Sequence, residues 1–213
     1  MTYVLYTRLG SGGFCIDAAL AYAGLPYRLK LIDSKPGTSL PQSFREINPW
    51  LQVPVLITQD GLTLTETAAI LIYLVENHPE SPIGFVKDPG IFGSFLRWTI
   101  FIGTNIYEGI LRKGYPERYT TDAAGLDGVR SAAQQRNQSA FMLLESLLQE
   151  NPFLFGNTMS ATDIFLAMVY AWHGKRSELP RCTHLTHTVA RHAVISPIWH
   201  RHFAHRLDYK WNT

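Results

Sequence analysis

The chain has 213 residues, 46% of them hydrophobic and 17% charged, with a formal net charge of +2, enough apolar material for one large or two small domains with real cores. Its charges are scattered without a run of one sign, which gives no footing for a nucleic-acid or membrane-surface partner. Two cysteines exclude a disulfide framework, MTYVLYTRLG lacks a signal-peptide pattern, and the longest apolar run, AAILIYLV from Ala68, is far short of the roughly 20 residues a bilayer requires, so the expected location is cytoplasmic.

TYVLYT (2–7) is β-branched and aromatic and reads as a strand; RLGSGG follows as a turn, and FCIDAALAYAGL carries apolar residues at helical spacing. Gly24 and Pro26 stop that helix, and YRLKLI (27–32) alternates as a second strand, which makes a βαβ unit with parallel pairing. A short helix is expected around 41–46. PVLIT and LTLT flank QDG, an Asp-Gly hairpin signal, and ETAAILIYLVENH is a strongly apolar helix. The proline-rich stretch near 80–87 marks a linker, beyond which no strand is evident. GIFGSFLRWTIFIGTNIYEGILRK predicts one long helix. A second is predicted from about Asp122 to Gln149, with Leu126, Val129, Ala133, Ala140, Leu143 and Leu147 on one face. MSATDIFLAMVYAW opens on Ser160 and Asp163 at capping-box spacing, with Met159 and Ile164 placed for a hydrophobic staple. Shorter helices are expected near 183–194 and after Pro197, then a weakly defined tail at 208–213.

Pro54 in LQVPVL sits at the mouth of a strand, where a residue without an N–H normally excludes a central position. Glu66 and Thr67 open the next helix, where unpaired N–H groups and the positive end of the dipole favour a carboxylate. Thr65 as N-cap with Glu66 in the first turn is the competing, purely structural reading of that helix start.

The order βαβαββα followed by an all-helical half resembles the glutathione transferase superfamily over nearly the whole chain. NPWLQVPVL is similar to the family's N-P-x-x-x-V-P-x-L segment, and LTETAAILIYL to its Glu-Ser-x-A-I-x-x-Y-L segment with Thr67 for serine. GNTMSATDIFLA resembles its folding motif in the helical domain. The resemblance implies a thioredoxin-like α/β domain over 1–80, which binds glutathione, and an all-helical bundle over 87–213, which holds a second substrate. It also implies a cis peptide bond before Pro54, a geometry that costs only about 0.5–1 kcal/mol before proline against about 2.5–4 kcal/mol elsewhere. Val53 would then offer its N–H and C=O to the extended backbone of the tripeptide. Gln52, Val53, Pro54, Glu66 and Thr67 are the implied glutathione residues, with Thr67 donating to the γ-glutamyl carboxylate and Glu66 attracting the α-ammonium.

Chemistry in this family depends on ionising the glutathione thiol at the entrance of the first helix. Lowering a thiol pKa from about 8.5 to about 6.5 raises the thiolate fraction at pH 7 from roughly 3% to roughly 75%. Ser11, in the turn before the helix, is the first candidate activator; its structural alternative is an N-cap. Tyr6 is the second, since tyrosine-type members place a catalytic hydroxyl near the end of the first strand, though a packing role is the other reading. Cys15 lies a turn inside the helix and Gly12 stands where the bacterial beta-like pattern has its cysteine, which disfavours a mixed-disulfide mechanism. RWTIFIGTNIYEG is similar to the beta-like helical segment, but Ile100 and Tyr107 replace an asparagine and a histidine. A bacterial, beta-like or related serine-type class is implied. Tyr107 and Phe101 are expected in the second-substrate pocket, with Trp98 and Tyr115 as further apolar wall; core packing is the alternative for all of these aromatics.

All of the eight histidines except His78 lie after residue 172, including HRHFAH at 200–205. No carboxylate or cysteine cluster completes a metal site with His202 and His205, and the segment equally suits a solvated terminal helix, so no metal is expected. The expected function is a glutathione transferase, homodimeric, that adds the tripeptide thiolate to small hydrophobic electrophiles in detoxification. The rival is a transferase-like binding or regulatory protein that kept the fold and lost the chemistry.

Overall fold

The computed structural model of the chain describes residues 2–32, 40–84, 89–174 and 177–204. Tyr3–Thr7 forms β1, with Tyr3, Leu5 and Thr7 buried on one face and Tyr6 on the other. The turn after it enters α1, Gly13–Tyr22, whose residues from Gly13 to Leu20 are all buried. β2, Tyr27–Leu31, runs parallel to β1 with Tyr3 opposite Tyr27. A 3-10 turn at Gln42–Glu46 precedes β3, Val55–Ile57, and β4, Thr63–Leu64. Their hairpin is closed by the Thr58 hydroxyl, which donates to Asp60 and accepts the Leu62 N–H at 2.9 Å. α2, Thr67–Asn77, completes the unit.

β3 pairs antiparallel with β1, Tyr6 opposite Val55, so the sheet order is β2-β1-β3-β4 and the predicted thioredoxin-like arrangement is the one observed. The two faces of β1 have different neighbours. On one, Thr7 packs so closely on α1 that a Cβ at Gly13 would lie 1.7 Å from its Oγ1, and Tyr3 hydrogen-bonds His78 at the end of α2. On the other, Tyr6 packs with Phe44 of the 3-10 turn in a cluster with Leu40 and Val55.

The helical half differs from its prediction in two places. The single helix expected over 90–113 is interrupted: α3, Pro89–Phe101, passes through a wide π-helical turn at Ile102–Tyr107 into α4, Glu108–Gly114. The cause is a side chain inserted in the ladder. Asn137 donates from its amide nitrogen to the Asn105 carbonyl at 3.2 Å and accepts the Ile110 N–H at 3.1 Å, and it fits only because Gly109 has no side chain to meet it. Asn137 lies on α5, Leu126–Leu148, whose buried face is Ala133, Asn137, Ala140, Phe141, Leu144, Glu145 and Leu148. Leu143, predicted to face the core, is 45% exposed. The predicted stripe is displaced because two polar residues hold core positions with specific partners: Asn137 in the π turn, and Glu145, which accepts the Arg181 and Cys182 N–H groups at 2.8 Å and so caps α7, Pro180–Arg191.

α6, Ala161–His173, starts on the predicted capping box. Ser160 accepts from the Asp163 N–H, and the Asp163 carboxylate accepts the Ser160 N–H at 2.7 Å, the Ser160 hydroxyl at 2.6 Å and the Leu154 N–H at 2.8 Å. Met159 and Ile164 are both buried beside it. α8, Ser196–Phe203, is not the solvated helix that its histidines suggested: Ile198, Trp199, His202 and Phe203 are buried, and Phe14 of α1 packs between Trp199 at 5.3 Å and Phe203 at 4.9 Å.

The chain separates into two units, one of Met1–Asp88 with Val189–Thr213 and one of Pro89–Thr188. The expected helical unit over 87–213 thus differs at its C-terminal end, where α8 packs on α1 rather than within the bundle. Residues 85–87 of the predicted linker, the predicted tail at 208–213 and His205 lie outside the described residues. No described helix is long and apolar enough to cross a membrane.

Candidate functional site

The entrance of α1 is a turn from Arg8 to Ser11, closed by the Ser11 N–H on the Arg8 carbonyl at 3.3 Å. Gly10 is its third residue and holds φ at 69°, which a side chain would strain. Ser11 is half-buried, and its hydroxyl is engaged locally. It donates to the Arg8 carbonyl at 2.7 Å, accepts the Gly13 N–H at 3.3 Å and lies 3.1 Å from the Thr7 hydroxyl. The formal N-cap is Gly12, with no side-chain cap, so Ser11 satisfies one early N–H from one residue upstream. Serving an anion requires its hydroxyl to swing away from the Arg8 carbonyl. Tyr6 is on the opposite face of β1 from Thr7, its ring 5.9 Å from that of Phe44. Cys15 is fully buried, and burial pushes its thiol well above the ordinary range.

The loop before β3 is shaped by Asn48, which sequence reasoning passed over. Its side-chain oxygen accepts the Trp50 N–H at 3.0 Å and its nitrogen donates to the Gln52 carbonyl at 2.8 Å. The signal was present in the Asn-Pro dipeptide, a turn initiator. Leu51 takes a positive φ of 53°, and the Val53–Pro54 peptide bond is cis, as the resemblance implied. Among the described residues no hydrogen bond engages the Val53 N–H or C=O. Gln52 is exposed, Val53 half-buried and Pro54 buried.

At the entrance of α2 the capping alternative fails. The N-cap is Glu66, not Thr65; no side chain caps the helix, and its first turn has no acidic residue. Glu66 is exposed and sits at φ 64°, a conformation that for a non-glycine residue costs about 1–3 kcal/mol and collects at functional sites. Thr67 beside it is buried, and its hydroxyl oxygen has no hydrogen-bond partner among the described residues. An orphaned hydroxyl at the positive end of an 11-residue helix, among free N–H groups, is a donor set suited to a carboxylate.

In the helical unit Tyr107 closes the π turn and packs edge-on to Phe165 at 6.1 Å and against Trp172 at 5.0 Å. Phe101 packs edge-on with Trp98 at 5.5 Å, and the Arg97 guanidinium lies over that indole at 4.5 Å. Both aromatics are half-buried, while Ile100 is exposed. Among the described residues no group of three or more histidines, cysteines, aspartates or glutamates could hold a metal.

Residues 16–77 match the family model described as the N-terminal domain of glutathione S-transferase. The chain is 26% identical over 172 residues to the Escherichia coli K12 protein YncG, described as an uncharacterized GST-like protein, with 79% of this chain and 80% of YncG covered. It is 23% identical to glutathione S-transferase GST-4.5 of Xanthomonas campestris pv. campestris, covering 80% of this chain and 82% of the relative. Its fold matches a crystal structure of a glutathione transferase homolog from Sulfitobacter with bound glutathione, at a TM-score of 0.81 and 20% identity, over 92% of this chain and 96% of that one. With the sheet order and cis Pro54, these likenesses support the glutathione S-transferase superfamily: residues 16–77 match its N-terminal domain, and the fold is the one its solved structures share.

Proposed function

We propose that the protein is a glutathione transferase that holds glutathione on the sheet-bearing unit and transfers its thiolate to small hydrophobic electrophiles. The observation that carries this reading is the buried, partnerless Thr67 hydroxyl at the uncapped start of α2. The γ-glutamyl carboxylate takes that hydroxyl and the first N–H groups of the helix, and the exposed Glu66 carboxylate attracts the α-ammonium. The tripeptide backbone pairs with the unengaged N–H and C=O of Val53, between Gln52 and cis Pro54. The thiolate then lies over the entrance of α1, where Ser11 donates once its hydroxyl leaves the Arg8 carbonyl. Residues 1–80 form the glutathione-binding domain, and the helical stretch from 87 carries the second-substrate pocket, with Phe101 and Tyr107 on its wall. The active form is a homodimer, no metal takes part, and the setting is cytoplasmic detoxification.

Calorimetry with glutathione and conjugation of a chloronitrobenzene substrate test the reading. Binding that weakens about tenfold or more in Thr67→Val, together with conjugation that slows about tenfold in Ser11→Ala, is the expected result. Absence of glutathione binding by the wild type would overturn it. A second reading, a glutathione-binding protein without turnover, has one observation in its favour: the Ser11 hydroxyl is committed to the Arg8 carbonyl at 2.7 Å. Tight binding without conjugation would select it.

A further inference from the structure

Asp17, on the buried side of α1, collects three donors from two other elements. Tyr27 of β2 gives its hydroxyl; Arg201 of α8 gives a guanidinium N–H at 2.7 Å, and its neighbour His202 lies with Nε2 at 3.1 Å. The side chains of Asp17 and His202 are completely buried. The second ring nitrogen of His202, Nδ1, faces the backbone N–H of Gly10 at 3.3 Å. An N–H can only donate, so Nδ1 must present a lone pair. The ring proton then sits on Nε2 and points at the Asp17 carboxylate. The carboxylate therefore selects the tautomer, and the tautomer makes Nδ1 an acceptor. Phe14 packs edge-on to the ring at 5.5 Å, and Arg201 and Tyr27 share the Asp17 carboxylate with it.

Gly10 is where this matters. In a turn with positive φ at its third residue, the N–H of that residue points out of the turn and finds no partner inside it. His202 takes it, and the next residue along the chain is Ser11. We propose that Asp17 and His202 form a positioning relay for the entrance of α1: the carboxylate fixes the imidazole, the imidazole fixes the Gly10 amide, and the turn that aims Ser11 at the thiolate is held from behind. The inference rests on the glutathione-transferase reading of the same entrance. It makes His202 a positioning residue, one that acts through Gly10 and Ser11 and touches no substrate. Donors to a developing or resting anion lose their effect over displacements of a fraction of an ångström to an ångström, so fixing this amide tunes the thiol rather than the affinity for the tripeptide.

Two substitutions separate the halves of the relay. Asn in place of His202 keeps a side-chain oxygen near the position of Nδ1 and gives up the donor to Asp17. Gln keeps an N–H near Nε2 and gives up the acceptor for Gly10. In the full-length protein, the ultraviolet absorbance of the thiolate reports the pKa of bound glutathione, calorimetry reports its Kd, and conjugation kinetics report kcat and KM. His202→Gln is expected to raise the apparent thiol pKa by about one unit and to lower kcat about fivefold at pH 6.5, with the glutathione Kd changed less than about twofold. His202→Asn is expected to recover most of the loss. If Gln behaves as wild type, or if Asn and Gln lose equally, His202 is packing and the relay is overturned. An unmoved thiol pKa in both variants, with glutathione bound and its thiol depressed, overturns the relay and leaves the transferase reading standing. Failure of the wild type to bind glutathione overturns both. Should the variants not fold, nitrogen NMR of the wild type decides: an unprotonated Nδ1 with a scalar coupling to the Gly10 amide supports the relay, and a protonated Nδ1 sinks it.

Discussion

At the entrance of α6 the protein supplies its own carboxylate: Asp163 takes the N–H groups of Ser160 and Leu154 and the Ser160 hydroxyl, and Ser160 takes the Asp163 N–H in return. At the entrance of α2 there is no such carboxylate, the N-cap makes no side-chain bond, and the Thr67 hydroxyl is buried without a partner. Both helices begin with the same physical demand, early N–H groups and a positive dipole end. One meets it internally and is a folding element. The other leaves it open, at a residue with strained backbone, and that unmet demand is the mark of a ligand site. The entrance of α1 stands between them: its hydroxyls are paired, but only within one turn of chain, and that turn is itself held by His202.

This contrast can be broken by experiment. The largest effect belongs to the self-sufficient entrance: Asp163→Ala leaves buried donors unsatisfied and is expected to cost about 3 kcal/mol of stability in urea unfolding, with glutathione affinity of the folded protein unchanged. A loss under about 1 kcal/mol would mean that the box is not what holds α6. Next comes Thr67→Val, which is expected to weaken glutathione binding by about 2 kcal/mol in calorimetry while leaving stability unchanged or slightly raised, because the hydroxyl it removes has no partner to lose. Lower stability with unchanged affinity would reverse the assignment. Ser11→Ala should do some of both, with about 1 kcal/mol of stability lost through the Arg8 and Gly13 contacts and roughly tenfold slower conjugation at unchanged KM.

The smallest effect is a pH dependence at the support behind α1. Burial acts to raise the Asp17 carboxyl, but hydrogen bonds from His202, Tyr27 and Arg201 and the Arg201 charge outweigh it and hold the group below its ordinary value. A folded-state pKa below the unfolded one means that the contribution is present above the unfolded value, near 4, and is lost as pH falls through the folded value. The stability difference between wild type and Asp17→Asn, followed by thermal unfolding, should therefore narrow as pH drops from about 5 to 3. A difference that stays constant or widens in that window would show that the carboxylate is not what organises the cluster.

Much of the fold and half of the candidate site were open to reading in the chain itself. The capping box at Ser160, the hairpin around Asp60 and Gly61 and the apolar helix from Thr67 are local signals, and the elements form where those signals stand. Pro54, its cis bond and the Glu66-Thr67 pair follow from the motifs, and the structure adds what a motif lacks: an uncapped helix and an orphaned hydroxyl. The stripe on α5 was misjudged because an apolar pattern assumes that only apolar residues face a core. Asn137 and Glu145 face it with full hydrogen-bond partners, so Leu144 is buried in place of Leu143.

The order of the strands with α1 and α2, the capping-box start of α6 and the Asp-Gly hairpin follow from interactions within a few residues, and the sequence by itself determined them. Tertiary structure alone decided the partners of polar groups that local spacing leaves undefined. Asp17 meets Arg201 and His202 across 184 and 185 residues, and no periodicity encodes that meeting. The physical reason is that a buried charge or amide is stable only beside donors of the right geometry. Which donors those are is fixed when distant helices pack, as when Phe14 closes on Trp199 and Phe203 and carries His202 to the back of the Gly10 turn.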